Sequence, residues 1–95
     1  MEKILYHTYT FEDEDEKWEF EYYITKTLRH HRLYYGVLVS SHCEDSTYTK
    51  HVVGIFPYQE DAIKFADMLY KYQVTPLSLT DTVVEYFIEK VVLTL

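Results

Sequence analysis

EDEDEKWEFEYYITKTLRHHR, residues 12–32, carries the strongest structural signal in this chain. It opens with an unbroken acidic run from Glu12 to Glu16 and closes with a basic cluster of Lys26, Arg29, His30, His31 and Arg32. Between them, residues 18–25 alternate apolar and polar side chains with a period of two, which is typical of a strand with one buried face. Such a strand separates the two charge clusters by roughly 30 Å at about 3.3 Å per residue. The sequence therefore predicts a bipolar molecule.

Three further segments have the composition of β-strands, namely residues 3–11, 33–42 and 47–53. Strict alternation in the first would place Ile4, Tyr6 and Thr8 on one face, opposite Leu5, His7, Tyr9 and Phe11. The short polar connectors favour successive antiparallel hairpins. In that arrangement the first and third turns lie at the same end of the sheet, so Glu12 to Glu16 gather with Glu44 and Asp45. The basic turn lies at the opposite end.

The pattern becomes helical after Gly54. Apolar residues from Gln59 to Tyr72 recur at helical spacing, and Thr75-Pro76 then breaks the helix. Ser78 followed by Asp81 resembles a capping box and predicts a second helix to about Glu89, while residues 91–95 fit either its last turns or a short β tail. The predicted fold is a single α+β domain over residues 1–95. It has a four-stranded antiparallel sheet in ββββαα order, with two C-terminal helices packed on one face.

The composition excludes several classes of function. The formal net charge of −7 opposes an extended phosphate-binding surface, because polyanion binding requires clustered cations. The single cysteine, Cys43, cannot form an internal disulfide, and no segment reads as a leader peptide or a membrane span. We therefore expect a cytoplasmic protein without a membrane partner.

No motif indicates catalysis. The chain has only two glycines and no glycine-rich phosphate loop, and Cys43 has no sequence-level sign of activation. The acidic run lacks the glycine turn of a calcium loop, and the spacing of His30, His31, His42, Cys43 and His51 matches no transition-metal site. We expect no enzymatic activity, no metal and no cofactor.

The C-terminal half contains a set of recognisable motifs. These are Val52-Val53-Gly54-Ile55, the helix start Glu60-Asp61-Ala62, Val74-Thr75-Pro76-Leu77-Ser78-Leu79, and Asp81-Thr82-Val83-Val84-Glu85. With Tyr35-Gly36 upstream, the chain resembles a family of small domains of unknown function from Firmicutes, especially clostridia. Tyr58 replaces the usual Ser or Thr before the helix, which removes the expected side-chain cap. The resemblance implies a fold but does not indicate an activity.

The lead functional hypothesis is a non-enzymatic binding module that docks on a basic protein, such as a nucleic-acid-binding nuclease or regulator, and inhibits it by phosphate mimicry. In composition it resembles phage or mobile-element inhibitors of bacterial defence, including anti-CRISPR proteins. The surface would be acidic and would carry one aromatic contact. Its candidate residues are Glu12, Asp13, Glu14, Asp15, Glu16, Glu19, Glu21, Tyr23, Glu44 and Asp45.

Two alternatives stay open at this stage. The first is a structural or regulatory interaction domain of a Firmicute host, homodimeric through the apolar closing helix and tail, which includes Val91 and Leu93. The second is local nucleic-acid binding by the basic hairpin, because cations beside aromatic rings can hold phosphates and stack bases. Its candidate contacts are Lys26, Arg29, Arg32 and Tyr34.

Overall fold

The computed structural model describes the backbone of residues 1–94 and the side chains of residues 1–89. Four antiparallel strands, paired in sequence order, form one sheet: β1 (Glu2–Asp13), β2 (Glu16–Arg29), β3 (Arg32–Cys43) and β4 (Ser46–Phe56). Helix α1 (Gln59–Lys71), a 3₁₀ turn (Pro76–Ser78) and helix α2 (Leu79–Thr94) follow. The predicted α+β fold in ββββαα order is confirmed.

The strands are longer than predicted because the connecting turns contain only two residues each. These turns are Glu14-Asp15, His30-His31 and Glu44-Asp45. The register pairs Asp13 with Glu16 and Cys43 with Ser46, so both Glu-Asp turns lie at the same end of the sheet. The expected gathering of the acidic turns, away from the His30-His31 turn, is thereby confirmed.

A β-bulge between Leu5 and His7 interrupts β1. Ile4 pairs with Ile24, whereas His7 pairs with Tyr22, so Ile4 and His7 share the helix-side face. The prediction from strict alternation, which put Ile4 and His7 on opposite faces, was therefore wrong. One extra residue in a strand shifts the side-chain period by one, and composition alone does not reveal it.

The sheet is also irregular where β4 passes Gly36. The register shifts between Tyr35 and Val37, and a Cβ atom on Gly36 would lie 2.1 Å from the Val52 carbonyl oxygen. Only glycine therefore permits this close approach of β4 across the open face of the sheet. Gly54, two residues after Val52, has a φ of +57°, a left-handed conformation that glycine adopts more readily than other residues.

The core lies between the helices and the central part of the sheet. It is formed by Tyr22, Ile24, Val37, Val39, Phe56, Ala62, Phe65, Ala66, Leu69 and Leu79. The Tyr22 hydroxyl donates a hydrogen bond of 3.0 Å to the Val74 carbonyl, which ties β2 to the segment after α1. On β1, the His7 ring stacks on Tyr70 and its Nε2 lies 2.9 Å from Asp67. Helix α1 is thus fixed over the middle of the sheet.

The helix boundaries differ from prediction at several points. Tyr58 precedes α1 without a side-chain cap, as expected, and α1 ends one residue early at Lys71. The predicted start of the second helix is confirmed, because α2 begins directly after Ser78; the Ser78 hydroxyl accepts a hydrogen bond from Thr75, and Ser78 ends a 3₁₀ turn that the sequence did not predict. Helix α2 continues to Thr94, so residues 91–94 are helical, and Leu95 lies outside the described residues.

Candidate acidic docking site

One end of the sheet concentrates the negative charge of the molecule. We call this region the acidic tip and define it as Glu12, Asp13, Glu14, Asp15, Glu16, Glu44 and Asp45. All seven side chains are exposed. Lys17, directly after Glu16, is the only cation within these two stretches, residues 12–17 and 44–45. The seven carboxylates together with Lys17 carry a net charge of −6, out of the formal −7 of the whole sequence. The rest of the chain is almost neutral.

The backbone at the tip is not the one that turn preferences would favour. Glu14 and Glu44 occupy the first position of their turns with φ values of 50° and 52°. Glycine, asparagine and aspartate adopt this left-handed region more readily than glutamate. In addition, Asp13 pairs directly with Glu16 across the strands, and like charges in that relationship repel. Glu14 and Glu44 are therefore not explained by turn formation.

The open face of the sheet, which is the face without helices, forms a polar cleft beside the tip. The cleft has a volume of about 360 Å³ and is lined by Asp15, Lys17, Glu19, His42 and Glu44. Lys17 Nζ lies 3.8 Å from Glu19 Oε1, and both side chains are more than half exposed. Solvent screens a pair of this kind, so Glu19 retains most of its capacity to attract an external cation.

Glu21 lies further along the open face and already has an internal partner. Its Oε1 accepts a hydrogen bond of 2.6 Å from His42 Nε2, and the His42 Nδ1 atom lies 3.1 Å from the Thr47 hydroxyl. The Glu21 side chain is only 28% exposed. The structure thus places this candidate residue in a bridge between β2, β3 and β4, behind the more exposed Glu19.

Tyr23 is also engaged within the protein. The Lys3 ammonium lies 4.7 Å from the centre of its ring. Partial burial, together with the negative charge of Glu21, raises the pKa of the Tyr23 hydroxyl. Tyr23 therefore lies beside the acidic surface but is less free than an exposed aromatic contact would be.

On the helix side of the sheet, an apolar groove adjoins the tip. We call it the aromatic groove; it has a volume of about 390 Å³ and is lined by Phe11, Trp18, Phe20, Ser41, Tyr48, Thr75, Pro76 and Leu77. It forms because the strands extend beyond the area that α1 covers. Phe11 and Trp18 form the paired row nearest the tip, and Asp13 and Glu16 form the next pair on the same face. The Trp18 indole donates a hydrogen bond of 3.3 Å to Glu16 Oε2.

Cys43 lies between the acidic tip and the aromatic groove, and it is buried. Burial and the negative charges of Glu16 and Glu44 raise the pKa of its thiol, which opposes formation of a reactive thiolate. Among the described side chains, those of residues 1–89, no group of three His, Cys, Asp or Glu is arranged to hold a metal ion. Within residues 1–94 no helix has the length and apolar character needed to cross a membrane.

At the opposite end, three of the four candidate nucleic-acid contacts share one face of the sheet, where Arg29 and Arg32 both lie over the Tyr34 ring. Lys26 lies on the helix-side face by strand alternation, whereas Arg29, Arg32 and Tyr34 lie on the open face. Arg29 donates a hydrogen bond of 3.0 Å to the Gly54 carbonyl and packs over the Tyr34 ring at 4.8 Å. Two of the four candidate nucleic-acid contacts therefore hold β2, β3 and β4 together.

With this geometry established, comparison with known proteins gives one result. A model described as a family of unknown function, DUF6514, matches residues 1–89. The chain belongs to this family. The match spans all four strands, α1 and most of α2, so the acidic tip and the aromatic groove both fall within the DUF6514 region. No curated protein and no solved structure matches the chain.

Sequence reasoning missed two features of this DUF6514 domain. It considered His42 only as a metal ligand, whereas His42 bridges Glu21 and Thr47. It also assigned Trp18 and Phe20 to the buried face without recognising that they line an open groove. The period-two pattern identifies the face of a side chain but does not show how far a helix covers that face.

Proposed function

We propose that this protein acts by binding and not by catalysis, and that its acidic tip docks on a basic surface of a partner protein. The observation that carries the proposal is the charge distribution, with six of seven net negative charges at one end of the sheet. A localised field of this kind accelerates encounter with a cationic surface and selects against anionic ones. Glu14 and Glu44 support the idea, because turn geometry would favour other residues there.

The partner class follows from the chemistry of the tip. Exposed carboxylates on two adjacent two-residue turns present several oxyanions close together, as a nucleic-acid backbone does. A protein that binds phosphates with clustered Lys and Arg offers the complementary surface. We therefore propose that the partner is a nucleic-acid-binding protein, for example a nuclease of phage defence, which this protein inhibits. The reduced, unpaired Cys43 favours action in the cytoplasm.

Capture experiments with two charge-matched variants test the proposal. The tip variant combines Glu14→Asn, Asp15→Asn, Glu44→Asn and Asp45→Asn. The control variant combines Glu2→Gln, Glu60→Gln, Glu85→Gln and Glu89→Gln, which change the net charge equally at exposed positions away from the tip. Each immobilised protein is incubated with bacterial lysate, and bound proteins are identified by mass spectrometry.

We expect wild type and the control variant to retain the same basic protein, and the tip variant to lose it. Duplex DNA in excess should displace that protein, and added salt should weaken its capture because screening acts on exposed charges. Retention of the same protein by the tip variant would refute the proposal. Equal losses in both variants would show that net charge matters and its location does not.

A second candidate function, self-association, is favoured by one observation on α2. Val84 and Ile88, one turn apart, are 51% and 56% exposed and form an apolar stripe. The predicted contacts Val91 and Leu93 lie beyond the described side chains. Light scattering on wild type and a Val84→Lys, Ile88→Glu variant tests this function: a salt-insensitive dimer that the variant loses would favour an interaction domain of a host cell.

A further inference from the structure

The aromatic groove exposes several large apolar side chains to solvent. Phe11, Tyr48 and Leu77 are 45%, 58% and 88% exposed, and they surround the edge of the Trp18 and Phe20 rings. Aromatic side chains in a concave site are the usual anchors of protein interfaces, because they bury a large area with few rotatable bonds. The groove thus has the features of a binding pocket for a side chain.

The rim of the groove limits what can occupy it. Asp13 and Glu16 lie on the same face directly beyond Phe11 and Trp18, and Glu44 lies near enough to influence Cys43. A second copy of this chain would bring two acidic tips together at the same place, and an anionic membrane would be repelled in the same way. A cationic segment is attracted to all three carboxylates.

We infer that the aromatic groove receives a bulky apolar side chain from a basic segment of the partner, while neighbouring Lys or Arg residues of that segment pair with Asp13 and Glu16. This inference rests on the proposed docking function and names the surface through which it gains specificity. Charge at the tip brings the partner in, and the groove selects segments that combine cations with an apolar anchor.

Trp18 provides a direct measurement, because it is the only tryptophan of the chain and it lines the groove. The probe is a short capped peptide with two leucines flanked by arginines. A twin peptide has serines in place of the leucines and the same charge. Both lack tryptophan, so a change in tryptophan emission on binding comes from Trp18 of the full-length protein.

We expect the leucine peptide to bind about tenfold more tightly than the serine peptide, which corresponds to burial of roughly one apolar side chain. It should shift the Trp18 emission to shorter wavelength, since it excludes water from the indole. Tyr48→Thr and Leu77→Ser should each reduce the leucine advantage. Leu28→Ser, a matched loss of an exposed leucine at the basic end, should leave it unchanged.

The outcomes separate this inference from the function on which it rests. If both peptides bind equally, without an emission change, but the tip variant loses them, the groove inference fails and acidic docking stands. If groove variants lose the leucine advantage while the tip variant and an Asp13→Asn, Glu16→Gln variant both keep full affinity, acidic docking fails. If neither peptide binds at low salt, both ideas fail.

Discussion

Neutralising the two strained glutamates should make the protein more stable while it weakens partner binding. The perturbation is the double variant Glu14→Asn, Glu44→Asn. Both residues have φ values near +50°, a region that costs a residue other than glycine or asparagine about 1 kcal/mol. Asparagine adopts that conformation readily and also removes two of the seven carboxylates at the tip.

The expected gain is the sum of a conformational and an electrostatic contribution. Replacing glutamate at the two left-handed turn positions removes about 2 kcal/mol of conformational strain. Reduced repulsion among exposed carboxylates adds a few tenths of a kcal/mol. For a domain of this size, a gain of about 2 kcal/mol corresponds to a rise in Tm of about 10 °C. The electrostatic contribution should disappear in high salt, whereas the conformational one should persist.

Urea unfolding, followed by Trp18 emission and by circular dichroism, measures the effect at low salt and at about 1 M NaCl. A Glu14→Gln, Glu44→Gln variant removes the same charges without changing the backbone preference, so it should show only the salt-sensitive part. If the Asn variant is less stable than wild type, the glutamates stabilise the turns, and the argument that they are retained for binding is refuted.

Three further predictions concern the body of the domain. Gly36→Ala should destabilise the fold by about 3 kcal/mol in urea unfolding, because its Cβ would force the Val52 carbonyl away; a loss below 1 kcal/mol would contradict the close approach of β4. Burial raises the pKa of Tyr22 to about 12, so its hydroxyl stays protonated in the folded state where the unfolded chain ionises. Stability should therefore fall between about pH 10 and 12, by roughly 2 to 3 kcal/mol, and Tyr22→Phe should remove this loss from the pH profile of Tm. Burial lowers the pKa of His51 below its ordinary value of 6.5, so the unfolded chain takes up a proton at a higher pH than the folded protein does. The contribution of His51 to stability is therefore complete above pH 6.5 and is lost as the pH falls through the lower folded value; a His51→Gln variant should lose less stability than wild type between neutral pH and pH 5.

The sequence was sufficient for the element order because its signals are local. Alternation over residues 18–25, short polar connectors and helical spacing after Gln59 each depend on a few consecutive residues. The same signals located the acidic turns at one end, since antiparallel hairpins leave no other arrangement. The sequence did not predict the bulge after Leu5 or the 3₁₀ turn before α2, because each depends on which backbone groups form hydrogen bonds in the folded protein.

In the candidate site, too, some features follow from the sequence and others depend on the tertiary structure. Charge and exposure at Glu14, Asp15, Glu44 and Asp45 follow from sequence and hairpin topology, because a run of carboxylates in a two-residue turn must face solvent. The pairing of Glu21 with His42, the use of Arg29 to hold Gly54, and the groove around Trp18 depend on contacts between residues far apart in sequence. Local patterns assign a side chain to a face of the sheet, whereas packing of the helices and twist of the strands determine which parts of that face are covered.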